Sequence, residues 1–173
     1  MEGFSAKNNM NLVKNKYLPS IADIRNLEIL IGNSLPDDYI KYMITYNDFM
    51  PSPPKAYCFK INWEDKLGAA PFNEASIGSW EIINPSNQEE SIAQSIANLW
   101  EPNAEFIPPE LIPIGGDAGG GLILLNISKI NHGAIYYWFD GSPYEPGEPS
   151  YDNIGFVTNS FTEFLESLYP CEE

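Results

Sequence analysis

The sequence has few of the side chains from which metal centres and hydrolytic active sites are built. It contains two cysteines and one histidine in 173 residues. Cys58 and Cys171 are too few for a disulfide framework and lack metal-ligand spacing, so we predict one packed thiol and one thiol in the tail. His132 lies in an Asn-His-Gly turn and would have to serve any Ser-His-Asp or Cys-His arrangement alone. We therefore predict no catalytic residue, no metal or cofactor site and no enzymatic activity.

Long apolar stretches are also missing. No stretch is long enough to cross a bilayer, and the N-terminal segment MEGFSAKNNMNLVKNK lacks the apolar core of a secretory signal. This pattern predicts a cytoplasmic protein without a membrane partner. The composition, 43% hydrophobic and 13% aromatic residues, is typical of one globular domain with a single core.

Basic residues are nearly absent from the last two thirds of the chain. Residues 67–173 contain sixteen aspartates and glutamates but one lysine, Lys129, and carry the entire net charge of −15, because residues 1–66 have eight charges of each sign. Such a field repels nucleic acid phosphates and speeds the encounter with a basic protein. An acidic surface can also simply favour solubility. We predict that the chain does not bind nucleic acid.

Local signals place helices and strands in a recognisable order. Residues 1–17 form a loose arm or a short helix, and residues 18–170 form one domain. We predict helices from the Ser20 cap to Gly32, from Pro36, over 88–100, and from the Ser160–Glu163 capping box to Pro170. We predict strands over 57–61, 79–83, 111–114, 122–127 and 134–139. This order indicates an α+β domain whose mixed or mostly antiparallel sheet is flanked by helices.

A cluster of five glycines between residues 115 and 121 invites a phosphate-binding hypothesis. A P-loop needs a Lys and a Ser or Thr after its glycines, and a dinucleotide site needs a helix there, whereas the apolar run 122–127 predicts a strand. The nearest cation, Lys129, lies at the far end of that strand. We therefore interpret the cluster as a tight turn between strands, which Asp117 caps or orients.

The order of these motifs from about Ile21 to Leu168 resembles the SUKH superfamily, named for yeast glucan-synthesis regulators and their bacterial immunity-protein relatives. The resemblance depends on five features in series: a helix ending in glycine; Leu35, Pro36 and Tyr39 opening a second helix; Gly78 and Trp80; the turn Ile-Gly-Gly-Asp-x-Gly-Gly-Gly; and Ser160, Phe161, Glu163, Phe164 and Leu165. Members often carry an acidic residue just after the glycine turn, where this chain has Leu122 and Ile123.

The resemblance implies a protein-binding function. Bacterial members are chiefly immunity proteins that neutralise a cognate polymorphic or contact-dependent toxin, often a nuclease, and a nuclease presents a basic active-site cleft. The yeast-like members suggest an alternative, an intracellular scaffold or regulatory adaptor. Those proteins carry long additional segments, whereas this chain is nearly all domain, which favours the immunity hypothesis.

The segment WFDGSPYEPGEPSYDN, residues 138–153, is the strongest candidate for the contact surface. Its carboxylates can pair with a partner's Lys and Arg, its tyrosines supply contact area, and its prolines limit the entropy lost on binding. The alternative is a solvated hairpin loop whose aromatic rings fold back on the core. We predict Asp117, Asp140, Glu145, Glu148 and Asp152 as charge partners, and Trp80, Tyr144 and Tyr151 as contact anchors.

Overall fold

The computed structural model describes residues 10–52, 54–63, 72–80, 104–139 and 149–172. Within these ranges the chain forms three helices, α1 (Ile21–Ile31), α2 (Asp37–Thr45) and α3 (Phe161–Ser167). Its strands are β1 (Asn11–Leu12), β2 (Pro51–Ser52), β3 (Tyr57–Lys60), β4 (Glu74–Ser76), β5 (Ser79–Trp80), β6 (Leu111–Gly116), β7 (Leu122–Asn126), β8 (Ile135–Trp138), β9 (Ile154–Thr158) and β10 (Tyr169–Pro170).

These strands form three sheets. The largest has five strands in the order β5-β6-β7-β8-β9, the second has the order β10-β3-β4, and β1 pairs with β2. Every pairing among the described strands is antiparallel. The prediction of an α+β domain with a mostly antiparallel sheet is confirmed.

Helix α1 begins and ends where its cap residues predict. The Ser20 hydroxyl accepts a hydrogen bond from the Asp23 amide, and the Asp23 carboxylate accepts one from the Ser20 amide, which completes a capping box. Gly32 closes the helix with a left-handed φ of 72°. The Glu28 carboxylate then accepts a hydrogen bond from the Leu35 amide at 2.9 Å, which fixes the turn into α2.

Hydrogen bonds link the N-termini of helices α2 and α3. The Asp38 carboxylate, in the first turn of α2, accepts hydrogen bonds from the Thr162 amide and hydroxyl at 2.8 and 3.0 Å. Ser160 caps α3 as predicted, because its hydroxyl accepts a hydrogen bond from the Glu163 amide. The Glu163 carboxylate in turn accepts a hydrogen bond from the Asn159 amide, one residue before the cap. The prediction that Pro170 ends this helix is wrong, because the chain leaves it at Leu168 and forms β10.

The main core lies between the helices and one face of the five-stranded sheet, which we call the inner face. Buried side chains of α1, α2 and α3, including Leu27, Tyr42 and Phe164, pack there with Ile123 and Tyr137 of the sheet. Aromatic rings dominate the contact: Tyr42 meets Phe161 edge-on at 4.9 Å and Phe59 meets Phe164 at 5.4 Å. Edge-on packing of this kind adds to the stabilisation from burial.

A second apolar cluster covers the opposite face of the same sheet, which we call the outer face. Its members are Ile107, Leu111, Leu122, Leu124, Trp138 and Ile154, with Phe106 and Tyr136 packed against it. Alternation along the strands places it there, since Leu124 pairs with Tyr136, and Trp138 with Ile154, in the sheet register. Phe106 stacks on Trp138 at 6.4 Å, so the segment before β6 covers part of this face.

Cys58 and Cys171 form a disulfide, and the prediction of two separate thiols is wrong. β10 pairs antiparallel with β3, with Tyr169 opposite Cys58, and the Cys171 amide donates to the Ala56 carbonyl at 3.0 Å. This pairing brings the two Cα atoms to 5.2 Å, within the range that a disulfide spans. The sequence could not indicate it, because 113 residues separate the two cysteines.

The residues before α1 take part in the packed structure. Met10 is buried in the main core, and Asn11 and Leu12 pair with Ser52 and Pro51. The expectation of a loose arm or short helix is therefore wrong for residues 10–12, and the sequence did not indicate β2. The domain boundary after residue 17 stays a prediction, and the helix predicted over 88–100 lies outside the described residues.

Among the described helices, none is both long and apolar enough to cross a membrane.

Candidate functional site

Gly119, Gly120 and Gly121 lie in the turn between β6 and β7, as predicted, and Asp117 organises this turn, while Gly115 and Gly116 end β6. One oxygen of the Asp117 carboxylate accepts hydrogen bonds from the Gly119 and Gly121 amides, each at 2.8 Å. Gly120 has a φ of 91°, a conformation that favours glycine. The backbone groups that a phosphate site would need are thus engaged by the protein's own carboxylate.

The other oxygen of Asp117 binds Tyr137, whose side chain lies on the inner face of the sheet. The Tyr137 hydroxyl donates to it at 2.6 Å. Burial, and then the hydrogen bond to Asp117, raise the pKa of Tyr137 well above its ordinary range, so the phenol remains a donor. A Cβ at Gly121 would overlap this phenol. Asp117 therefore performs the orienting task that the sequence predicted, and its role as a charge partner stays a prediction.

Trp80 lies at the edge of the main core. Its ring is stacked on Phe164 at 6.3 Å and contacts Tyr42 and Phe49 at 5.9 and 5.7 Å. The ring also covers Gly115, where an added Cβ would lie 3.0 Å from it. The half-buried side chain thus packs against two helices and β6, and its proposed role as a contact anchor stays a prediction.

An aromatic cluster stands on the outer face, where the sheet is less covered. Tyr136 meets Phe156 edge-on at 5.7 Å and Tyr151 edge-on at 6.2 Å. Tyr136 and Phe156 are half-buried, while Tyr151 is 39% exposed. The predicted anchor Tyr151 therefore folds back on the sheet, as in the alternative of a hairpin loop packed on the core. It also remains open to solvent, as a contact surface requires.

Carboxylates accompany this aromatic cluster. The Tyr151 hydroxyl donates to Glu110 at 2.7 Å, and Asp152, the next residue, is exposed and accepts a hydrogen bond from the Ser150 hydroxyl at 3.0 Å. Burial, and then the hydrogen bond to Glu110, raise the pKa of Tyr151 above its ordinary range. The phenol therefore stays protonated near neutral pH and keeps the Glu110 carboxylate in one orientation.

Two adjoining clefts open beside the cluster, each with a volume of about 480 Å³. Asn131 and Tyr136 line both of them. The first, which we call the Phe156 cleft, is completed by Ala134, Phe156 and Asn159. The second, which we call the Glu110 cleft, is completed chiefly by Glu110, Asn126, Ser128, Lys129 and Tyr151. Together they form a concave, partly aromatic surface suited to a side chain or loop of another molecule.

Of the eight predicted binding residues, the structure brings Tyr151 and Asp152 together on the outer face. It places Asp117 at the glycine turn and Trp80 beside the helices. The other four, Asp140, Tyr144, Glu145 and Glu148, lie outside the described residues. The sequence did not indicate Glu110, Asn126 and Tyr136, which join the site through sheet register. The alternation along β8 does indicate that Tyr136 faces away from its two neighbours.

A second exposed surface lies on α1, on the side of the molecule occupied by the helices. Ile21, Ile29 and Leu30 are 49%, 80% and 53% exposed, while Ile24 and Leu27 of the same helix are buried. Arg25 is the charged residue among them on the exposed side. This apolar surface differs from the outer face, where aromatic rings and carboxylates occur together, and it is the natural comparison for binding experiments.

The described residues offer little for catalysis. His132 lies with its Nδ1 3.0 Å from the Ser128 carbonyl oxygen, within the turn that joins β7 and β8. Among those residues there is no group of three or more His, Cys, Asp or Glu side chains that could hold a metal ion. The absence of enzymatic activity stays a prediction.

Comparison with known proteins identifies the family. The model of the SMI1 / KNR4 family (SUKH-1) matches residues 18–167. The chain belongs to this family. The SUKH-1 chain is also similar to the SPbeta prophage-derived uncharacterized protein YokK of Bacillus subtilis (strain 168), with 27% identity over 153 residues, which cover 84% of this chain and 72% of that protein. The resemblance to the SUKH superfamily is confirmed, and membership of SUKH-1 supports an immunity role in general terms.

Proposed function

We propose that this SUKH-1 protein is an immunity protein that acts in the cytoplasm by binding and neutralising a cognate protein toxin of the nuclease type. One observation carries the proposal: Tyr136, Tyr151 and Phe156 stand half-exposed on the outer face together with the carboxylates of Glu110 and Asp152. Aromatic rings and well-placed charges supply most of the binding energy in specific protein interfaces.

Charge supports a basic partner. The outer face is formed by residues 67–173, the part of the chain that contains sixteen aspartates and glutamates and one lysine. A toxin that acts on nucleic acid carries a basic cleft, and an acidic surface both speeds the encounter and can occupy that cleft. The predicted residues Asp140, Tyr144, Glu145 and Glu148 precede Ser150 in the chain, and we propose that they extend the contact surface.

Charge reversal tests this placement. We expect the double variant Glu148→Lys with Asp152→Lys to weaken toxin binding at least about tenfold at low salt and to reduce its salt dependence, because like charges would then face the basic cleft. The control variant Glu166→Lys with Glu172→Lys changes the net charge equally, on α3 and after β10, and should bind as the wild type does.

The toxin is obtained first by capture from the native cells on the immobilised protein, followed by mass spectrometry. Expression of the captured polypeptide alone should stop growth of a bacterial host, and coexpression of the wild-type protein should restore growth. Binding is then measured by isothermal titration calorimetry. If the captured polypeptide is harmless, or if several unrelated proteins are captured, the scaffold or adaptor function replaces the immunity function. Equal binding by both double variants would show that the contact lies elsewhere.

A further inference from the structure

We propose that the Glu110 cleft receives an arginine side chain of the partner, together with a main-chain carbonyl next to it. The inference rests on the proposed function, because it specifies how the outer face recognises a basic protein. It depends on described residues alone: Glu110, Asn126, Tyr136 and Tyr151 line the cleft, and Lys129 lies on its rim.

The first observation is a side-chain amide nitrogen in the cleft that has no acceptor among the described residues. Asn126 is 3% exposed, yet it lines the cleft. Its Oδ1 accepts a hydrogen bond from the Ser128 amide at 2.8 Å, which fixes the orientation of the carboxamide. Its Nδ2 donates no hydrogen bond to any described residue. Because Nδ2 still reaches the solvent of the cleft, it can donate to a ligand oxygen that takes the place of water there.

The second observation is an oriented carboxylate in the same cleft. The backbone carbonyl of Glu110 accepts from the Ile127 amide at 2.9 Å, and Leu111 pairs with Asn126, so Glu110 is attached to the end of β7 beside the amide. One oxygen of Glu110 accepts from Tyr151, and the other accepts no hydrogen bond within the described residues. A donor from a ligand can therefore bind this second oxygen without displacing a protein group.

The rings of Tyr136 and Tyr151 decide which donor fits. They stand at 71° to one another with centroids 6.2 Å apart, so the cleft offers aromatic surface beside the carboxylate. A guanidinium group is planar, stacks on aromatic rings and donates to carboxylates, whereas an ammonium group is compact and strongly hydrated. The carbonyl next to an arginine can then accept from Asn126, and the two contacts together fit a peptide segment.

Lys129 allows the affinity of the cleft for arginine to be changed in both directions. It is exposed and is the one cation among the described residues that line the cleft. It repels a second cation that enters, so its removal should strengthen arginine binding, while neutralising Glu110 should weaken it. An anionic ligand would respond in the opposite way to both changes, and a purely structural role of Glu110 would leave the Lys129 variant without effect.

The probe for this test is Nα-acetyl-L-arginine methylamide, titrated into the full chain and followed by NMR. We expect shifts of the Asn126 side-chain amide and of the Tyr136 and Tyr151 rings. Glu110→Gln, which keeps an acceptor for Tyr151, should weaken binding about tenfold. Lys129→Gln should strengthen it about twofold. The citrulline analogue, which has nearly the same shape without charge, should bind the wild type more weakly than the arginine probe does and should lose less affinity on Glu110→Gln.

Opposite shifts in the two variants, or equal binding of arginine and citrulline probes, would overturn the arginine site. The captured toxin separates this inference from the proposed function. If the toxin binds wild type and Glu110→Gln equally, the arginine site is wrong and the immunity function stands. If the cells contain no toxin that binds, the immunity function fails whatever the arginine probe shows.

Discussion

Replacement of Gly121 by alanine is expected to lower the free energy of unfolding by about 3 kcal/mol. The new Cβ would overlap the Tyr137 hydroxyl and ring. Tyr137 cannot move away, because it is fully buried and packs edge-on against Phe59, Trp63 and Phe72. The phenol would therefore lose its hydrogen bond to Asp117, and the carboxylate would be left with fewer donors at the turn.

Gly119→Ala is the matched control for this experiment. Its Cβ would lie 3.4 Å from the nearest Asp117 oxygen, and the residue is exposed in the same turn. We expect it to change the free energy of unfolding by less than about 1 kcal/mol. Urea unfolding followed by tryptophan fluorescence measures both variants. A Gly121→Ala protein as stable as Gly119→Ala would show that the Tyr137–Asp117 bond does not hold the turn.

Reduction of the Cys58–Cys171 disulfide is expected to lower the free energy of unfolding by about 4 kcal/mol. The bridge joins residues that are 113 positions apart, so it lowers the conformational entropy of the unfolded chain by more than a bridge across a short loop would. It also holds β10 on β3 after α3 has ended. Under reducing conditions this stabilisation is lost, and the rest of the fold must supply the stability.

Urea unfolding with and without dithiothreitol measures the effect of the disulfide. The wild-type midpoint should fall on reduction, whereas Cys171→Ser, which has no bridge, should unfold at the lower midpoint under both conditions. Cys171 is the better site for this change, because Cys58 is 6% exposed and its replacement would also disturb the core. An identical wild-type midpoint with and without the reductant would contradict the stabilising role.

The parts of the fold that sequence predicts are those specified by neighbouring residues. Ser20, Asp23 and Gly32 define α1 because capping bonds join residues a few positions apart. β6, β7 and β8 are predictable because apolar runs and glycine turns alternate along a continuous segment. By contrast, β4 and β10 are short, and their pairing with β3 depends on chain segments that approach one another only in the folded protein.

The candidate site divides in the same way. Tyr151 and Asp152 could be chosen from sequence because acidic, aromatic and proline residues alternate in one segment. Glu110 and Asn126 could not, because their proximity comes from the pairing of β6 with β7 and from the hydrogen bond of Tyr151 to Glu110 across 41 positions. For Trp80 the sequence suggested a contact with a partner, because the residue is large and aromatic. In the structure its ring packs within the protein against Phe161 and Phe164.

Hydrogen exchange of this protein, free and in complex with the captured toxin, shows without any mutation which face of the protein the toxin covers. If the toxin binds the outer face, we expect slower exchange in the complex for the backbone amides of residues 128–134 and 150–153, which border the two clefts, and unchanged exchange along α1. Slower exchange confined to α1 and the residues before it would show that the outer face is not the binding surface and would place the toxin on the apolar surface around Ile29.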